Sequence, residues 1–120
     1  MAPTQIDSLE RVLDQVAEVW PSAAVLDGAD SVDEDLSDLR HAARVLRRRG
    51  AISGVERMEI DVAIARWTAV RDYAVQARPA SLAVSASVSA FVSLPDLLPD
   101  LLLRRAKTSA RIVHQAAFDT

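Results

Sequence analysis

The chain has 120 residues, a formal net charge of −3 and an apolar fraction of 50%, which predicts one folded domain, residues 1–120, around a single core. It contains no cysteine, which excludes disulfides, thiolate metal sites and cysteine nucleophiles. The small negative charge gives no overall indication of nucleic acid or an anionic membrane as partner. No basic run followed by an apolar stretch opens the chain, so we expect no signal peptide and a cytoplasmic location.

The first predicted helix covers about residues 6–20. Asp7 and Glu10 have the spacing of a capping box, and Thr4 with Asp7 resembles one more weakly. Pro21 ends the helix, because proline disfavours helical geometry in the residue before it. One face carries apolar side chains at helical spacing: Ile6, Leu9, Leu13, Val16 and Trp20.

The second predicted helix covers about residues 32–49. Ser31 and Glu34 fit the S-x-x-E capping box, and three arginines at 47–49 complement the negative end of the helix dipole. Gly50 follows as a left-handed cap. The apolar positions step alternately by four and three residues and form a short a/d seam suited to pairing inside a bundle: Val32, Leu36, Leu39, Ala43 and Leu46.

The third predicted helix, residues 54–77, is the element around which the domain is organised. Ser53 and Glu56 form its capping box, and Pro79 closes it. Because the connection from helix two is short, we expect helices two and three to be antiparallel neighbours. The helix is apolar on two sides and therefore needs partners on two sides. Its two rows are Val55, Met58, Val62, Ala65 and Ala69, and Ile60, Ile64, Trp67, Val70 and Ala74.

Residues 80–94 allow two interpretations, because their serines alternate as in a strand and also recur every four residues as in a helix. The all-helical context favours helix. The run is shorter than the roughly 20 apolar residues of a membrane span, so we expect none. A last helix follows at about 97–118, with Asp96 as N-cap and Pro99 in the first turn, where proline is tolerated. The predicted fold is all-α, a four- to five-helix antiparallel bundle or helical array.

No constellation of side chains predicts catalysis, and we assign no catalytic residue, metal ligand or cofactor. Asp38 and His41 lie one helical turn apart, but a zinc or iron site needs about three convergent protein ligands, and His114 lies on another helix. No G-x-S-x-G, P-loop or dinucleotide motif is present. An enzyme or metal-binding bundle is therefore the third of three hypotheses.

Two basic clusters give the second hypothesis, a nucleic-acid-associated packaging or regulatory factor. If the clusters meet in space, they form a positive patch for a phosphate backbone; the alternative is simple complementation of helix dipoles. The third helix begins with acids and is apolar along most of its length, which argues against a helix-turn-helix reader. The candidate contacts are Arg40, Arg44, Arg47, Arg48 and Arg49 on helix two, and Arg104, Arg105 and Lys107 on the last helix.

The first hypothesis is a non-enzymatic interaction or assembly subunit, either a homo-oligomer or bound to a larger protein. Aromatic residues are only 4% of the chain, and a core of small side chains gains stability from burial against another subunit. Components of virus assembly or of multiprotein complexes have this size and class. The candidate interface residues are Leu36, Leu39, Leu46, Trp67, Leu98, Leu101 and Leu102.

Overall fold

The structure is a computed structural model that describes residues 4–20, 31–77 and 99–118. These ranges form four α-helices and contain no strand, which confirms the all-α prediction. The predicted helix at 80–94 and residues 97 and 98 of the last predicted helix lie outside the described residues. The helices are α1 (Gln5–Val19), α2 (Val32–Arg49), α3 (Gly54–Ala77) and α4 (Pro99–Phe118).

The four helices pack in the ring order α1, α2, α4, α3, and each contacts its two neighbours in that ring. Ion pairs give the direction of α1 against α2: Arg47 binds Asp7, whereas Arg40 binds Asp14. Residue numbers therefore rise along one helix as they fall along the other, and the two helices are antiparallel.

The helices α2 and α4 run parallel, since Lys107 lies beside Asp35 and Phe118 lies beside His41. The start of α3 lies beside the start of α1, and Arg71 further along α3 binds Gln15 further along α1, so α1 and α3 are also parallel. It follows that α3 and α4 are antiparallel.

The prediction that α2 and α3 are packed neighbours was wrong, although their directions are opposite as expected. The two helices lie across the diagonal of the ring and make hardly any backbone contact. The short connection sets only their directions. The apolar seam of α2 is buried against α1 and α4 instead, with Leu39, Ala42, Ala43 and Leu46 completely inaccessible to solvent.

Two of the predicted capping boxes do not form, and the weaker Thr4–Asp7 alternative is confirmed. At α1 the box joins Thr4 and Asp7: the Asp7 N–H donates to Thr4 Oγ1 at 3.1 Å, and the Thr4 N–H donates to Asp7 Oδ2 at 3.4 Å. The favoured Asp7–Glu10 box was wrong, because Glu10 accepts a bond from Arg47. The Ser31 box was also wrong, since that hydroxyl makes no cap bond and accepts one from Lys107.

The turn between α2 and α3 contains the predicted glycine with a positive φ, but not the predicted left-handed helical cap. Gly50 has a φ of 80° and a ψ of −48°, and the Ala51 N–H donates to the Arg49 carbonyl at 2.9 Å, which is a γ-turn. A Cβ atom costs energy in this positive-φ conformation. The Ser53 N–H donates to Glu56 Oε1 at 2.9 Å and the Glu56 N–H donates to Ser53 Oγ at 3.1 Å, which confirms the capping box of α3.

Candidate interaction surface

The side of α3 that faces away from the other described helices carries a row of apolar side chains, of which three are exposed. Val55 is 65% exposed and Met58 is 58% exposed, Ala65 is exposed, and Val62 and Ala69 are half-buried. We call these five residues the outer seam of α3. The opposite side of the helix is buried against α1 and α4: Ile60, Ala63, Trp67, Val70 and Ala74.

The outer seam repeats with steps of three, four, three and four residues, which is the a/d pattern of a helix that pairs with another helix. At 1.5 Å per residue it extends about 21 Å along α3. The sequence predicted two apolar rows that need two sets of partners. Within the described residues the inner row is covered by α1 and α4, and Ala69 of the outer seam packs against the edge of the core, whereas Val55, Met58 and Ala65 stay exposed.

Two side chains of opposite charge, Glu59 and Arg66, border the outer seam on the side of α4. Arg66 donates through Nη1 to Ser109 Oγ at 2.5 Å and to the Arg105 carbonyl at 3.2 Å, which leaves Nη2 without a hydrogen bond in the part of the chain that the structure describes. Glu59 is half-buried and makes no ion pair within those ranges. Positions 59 and 66 are one heptad apart, so the two charges lie on the same edge of the helix.

The predicted interface residues lie mostly in the interior of the chain. Leu101 is half-buried and Leu98 lies outside the described residues. The apolar seam of α2 faces α1 and α4, so its leucines are buried by packing within the chain. Five of the seven side chains belong to the core of this chain: Leu36, Leu39, Leu46, Trp67 and Leu102.

The arginines of α2 are largely neutralised by carboxylates of α1 and α3. Arg47 bonds Asp7 at 2.5 Å and Glu10 at 2.8 Å, and Arg49 bonds Glu56. Hydrogen bonds lower the pKa of Asp7 below its ordinary value, and the bond from Thr4 has a larger effect than the bond from Arg47. In the same row Arg40 bonds Asp14 at 2.9 Å, whereas Arg44 and Arg48 are exposed.

The second basic cluster lies near the other end of α2. Lys107 donates to Ser31 Oγ and lies 3.7 Å from Asp35, and Arg104 and Arg105 precede it on α4. The distance along α2 from residue 35 to residue 47 is about 18 Å. Lys107 is therefore well separated from Arg47 along the bundle, although Arg40 lies between them on α2.

The carboxylate of Asp35 lies near Lys107 but has one oxygen without a hydrogen bond. Its Oδ2 atom is buried and accepts no hydrogen bond within the described residues. Burial raises the pKa of Asp35 above its ordinary value, although the nearby Lys107 charge acts in the opposite direction.

Both histidines contact the same aromatic ring, which the sequence did not predict. The Phe118 ring centroid lies 5.1 Å from that of His41 and 4.7 Å from that of His114. Only the parallel packing of α2 and α4 brings these residues together. Asp38 is exposed, and no group of three or more histidine, aspartate or glutamate side chains in the described ranges is arranged to hold a metal ion.

Comparison with protein-family models, with curated proteins and with solved structures gave no match for this chain. Among the helices that the structure describes, none is both long enough and apolar enough to cross a membrane.

Proposed function

We propose that this protein is a non-enzymatic interaction subunit that binds another protein through the outer seam of α3. The observation that carries the proposal is the exposure of Val55 and Met58 on a helix whose opposite side is completely buried. A row of apolar side chains at coiled-coil spacing is the surface that a second helix packs against.

The energetics favour a protein partner for this surface. Complete burial of a valine or methionine side chain contributes about 1.5–3 kcal/mol, and methionine adapts its shape to an irregular partner. Ala65 and Ala69 bring little bulk, which lets the backbone of another helix approach closely. The seam thus combines two larger side chains at its start with small ones at its end.

The other two hypotheses receive less support. A phosphate group at Arg40, Arg47 or Arg49 would compete with carboxylates that already hold these side chains. A metal site would need more convergent ligands than the described residues offer.

Photo-crosslinking in cells that express the protein tests the proposal. A photoreactive amino acid at position 58 lies in the seam, and the same group at Ser37 is the matched control, because Ser37 is exposed on α2 across the diagonal of the ring. We expect a covalent protein adduct from position 58 and none from position 37.

A second variant guards against chance contacts. Ala65→Glu places a charge in the middle of the seam and should abolish the adduct from position 58, whereas Ser37→Glu should leave it unchanged. If position 58 gives no protein adduct, or if both glutamate variants behave alike, the seam is not a binding surface.

A further inference from the structure

We infer that the outer seam of α3 binds a second copy of this chain, with the two α3 helices antiparallel about a two-fold axis between Val62 and Ala65. The inference rests on the proposed function and names its partner. The outer seam is self-complementary in size. In this arrangement Val62 lies opposite Ala65 of the partner subunit, and Met58 lies opposite Ala69 of the partner subunit, so a larger side chain meets a small one at both of these levels.

The charges bordering the seam select this register. Glu59 lies opposite Arg66 of the partner subunit, and the two-fold axis repeats the pair. Arg66 has Nη2 available for this contact because its intramolecular bonds use Nη1. A shift of one heptad in either direction opposes Glu59 to its own copy or Arg66 to its own copy, and like charges in contact are destabilising.

A parallel pairing fits the charges less well. It brings Asp61 near Arg66 of the partner subunit, but it also opposes Asp72 to Asp72 of the partner subunit at the end of the seam. In the antiparallel pairing Asp72 meets Val55 of the partner subunit, and its carboxylate is held aside by Arg71 through bonds of 2.9 and 3.0 Å.

The contact involves one helix from each copy and is smaller than a standard interface of about 800 Å² per partner. We therefore expect a dimer that dissociates on dilution. Light scattering on a sizing column should show the mass approaching twice 13.0 kDa as the concentration rises from about 1 µM to about 1 mM.

Cysteine crosslinking tests the direction of the helices, and the absence of native cysteine removes any background. In the antiparallel pair residue 58 is opposite residue 69 of the other copy, whereas the two copies of residue 58 are separated by about 16 Å along the axis. A disulfide needs Cα atoms within about 7 Å. A mixture of the Met58→Cys and Ala69→Cys proteins should therefore form a mixed disulfide dimer at least ten times faster than either protein alone.

Ser37→Cys is the control, because its side chain lies outside the proposed contact. Its disulfide dimer should form no faster than the disulfide of two thiols that meet by free diffusion. Rapid crosslinking of the Met58→Cys protein alone would indicate a parallel pair and overturn the inference.

Charge exchange tests the register. Glu59→Arg should weaken the dimer about tenfold or more, because it places a second positive charge opposite Arg66 of the partner subunit. A mixture of the Glu59→Arg and Arg66→Glu proteins restores both pairs and should associate more tightly than either variant alone. Since Arg66 also bonds Ser109, circular dichroism must show that Arg66→Glu folds. If it does not fold, the dissociation of the Glu59→Arg dimer is compared at low and high salt instead, because salt screens the repulsion between the two arginines.

A wild-type chain that stays monomeric over the whole concentration range overturns the second copy as partner. The proposed function then still stands if position 58 crosslinks to a different protein in cells. The two proposals therefore fail in distinguishable ways.

Discussion

Trp67 allows a quantitative test of the core, because two opposing contributions can be separated at one position. The side chain is completely inaccessible to solvent in the middle of α3. Its indole Nε1 atom is buried without a hydrogen-bond partner in the described residues. Trp67 should therefore stabilise the fold through its apolar surface alone, with its N–H group acting against that contribution.

The substitutions Trp67→Ala and Trp67→Phe separate these contributions. Alanine leaves a large cavity and should cost about 3–5 kcal/mol. Phenylalanine leaves a smaller cavity and removes an N–H group whose unpaired burial costs roughly 1–3 kcal/mol. The two changes offset each other, and we expect Trp67→Phe to stay within about 1.5 kcal/mol of the wild type.

Urea unfolding followed by circular dichroism measures both values, and helix content avoids any dependence on tryptophan fluorescence. With a slope near 2 kcal/mol per molar urea, Trp67→Ala should lower the midpoint by about 2 M and Trp67→Phe by less than about 1 M. Dilute protein keeps formation of the proposed dimer out of the measurement. If phenylalanine lowers the midpoint as far as alanine does, the indole N–H is contributing a bond and the reasoning is refuted.

Three further predictions use the same urea assay. Ser53→Ala should cost about 1 kcal/mol because it removes a cap bond, whereas Ser31→Ala should cost less because it removes no cap bond and Lys107 keeps Asp35 beside it; equal losses would contradict this assignment of the caps. Gly50→Ala should cost about 1–2 kcal/mol through its positive φ, whereas Gly54→Ala should stabilise by about 0.4–1 kcal/mol; in both cases a Cβ atom meets nothing within 4 Å. Hydrogen bonds from Arg49, and to a smaller extent from Ser53, lower the pKa of Glu56 below its ordinary value of 4.5. The ionised carboxylate therefore stabilises the fold at pH values above 4.5, and this stabilisation is lost as the pH falls towards the lowered pKa. The Glu56→Gln variant should therefore lose less stability than the wild type between neutral pH and the acid range, and parallel losses would show that Glu56 does not contribute.

The sequence predicts part of the candidate surface. The spacing of Val55, Met58, Val62, Ala65 and Ala69 indicates an apolar row, and the second row on α3 indicates that this helix needs partners on two sides. What the spacing did not decide was which row would stay outside. Leu36, Leu39 and Leu46 were expected at an interface because their seam resembles that of a coiled coil, but a seam looks the same whether its partner is intramolecular or not.

The sequence by itself determined the ends of α1, α2 and α3 to within one residue, although two predicted capping boxes did not form, because helical periodicity and proline or glycine stops act over a few neighbouring residues. The box at Ser53 and the positive φ of Gly50 agree with the prediction for this reason. Tertiary structure decided which helices pack together, which acids hold Arg40, Arg47 and Lys107, and how two histidines meet Phe118. These outcomes depend on the total apolar area that all four helices bury at once, and no local pattern contains that sum. The same competition placed the inner row of α3 in the core and left Val55 and Met58 of the outer seam exposed.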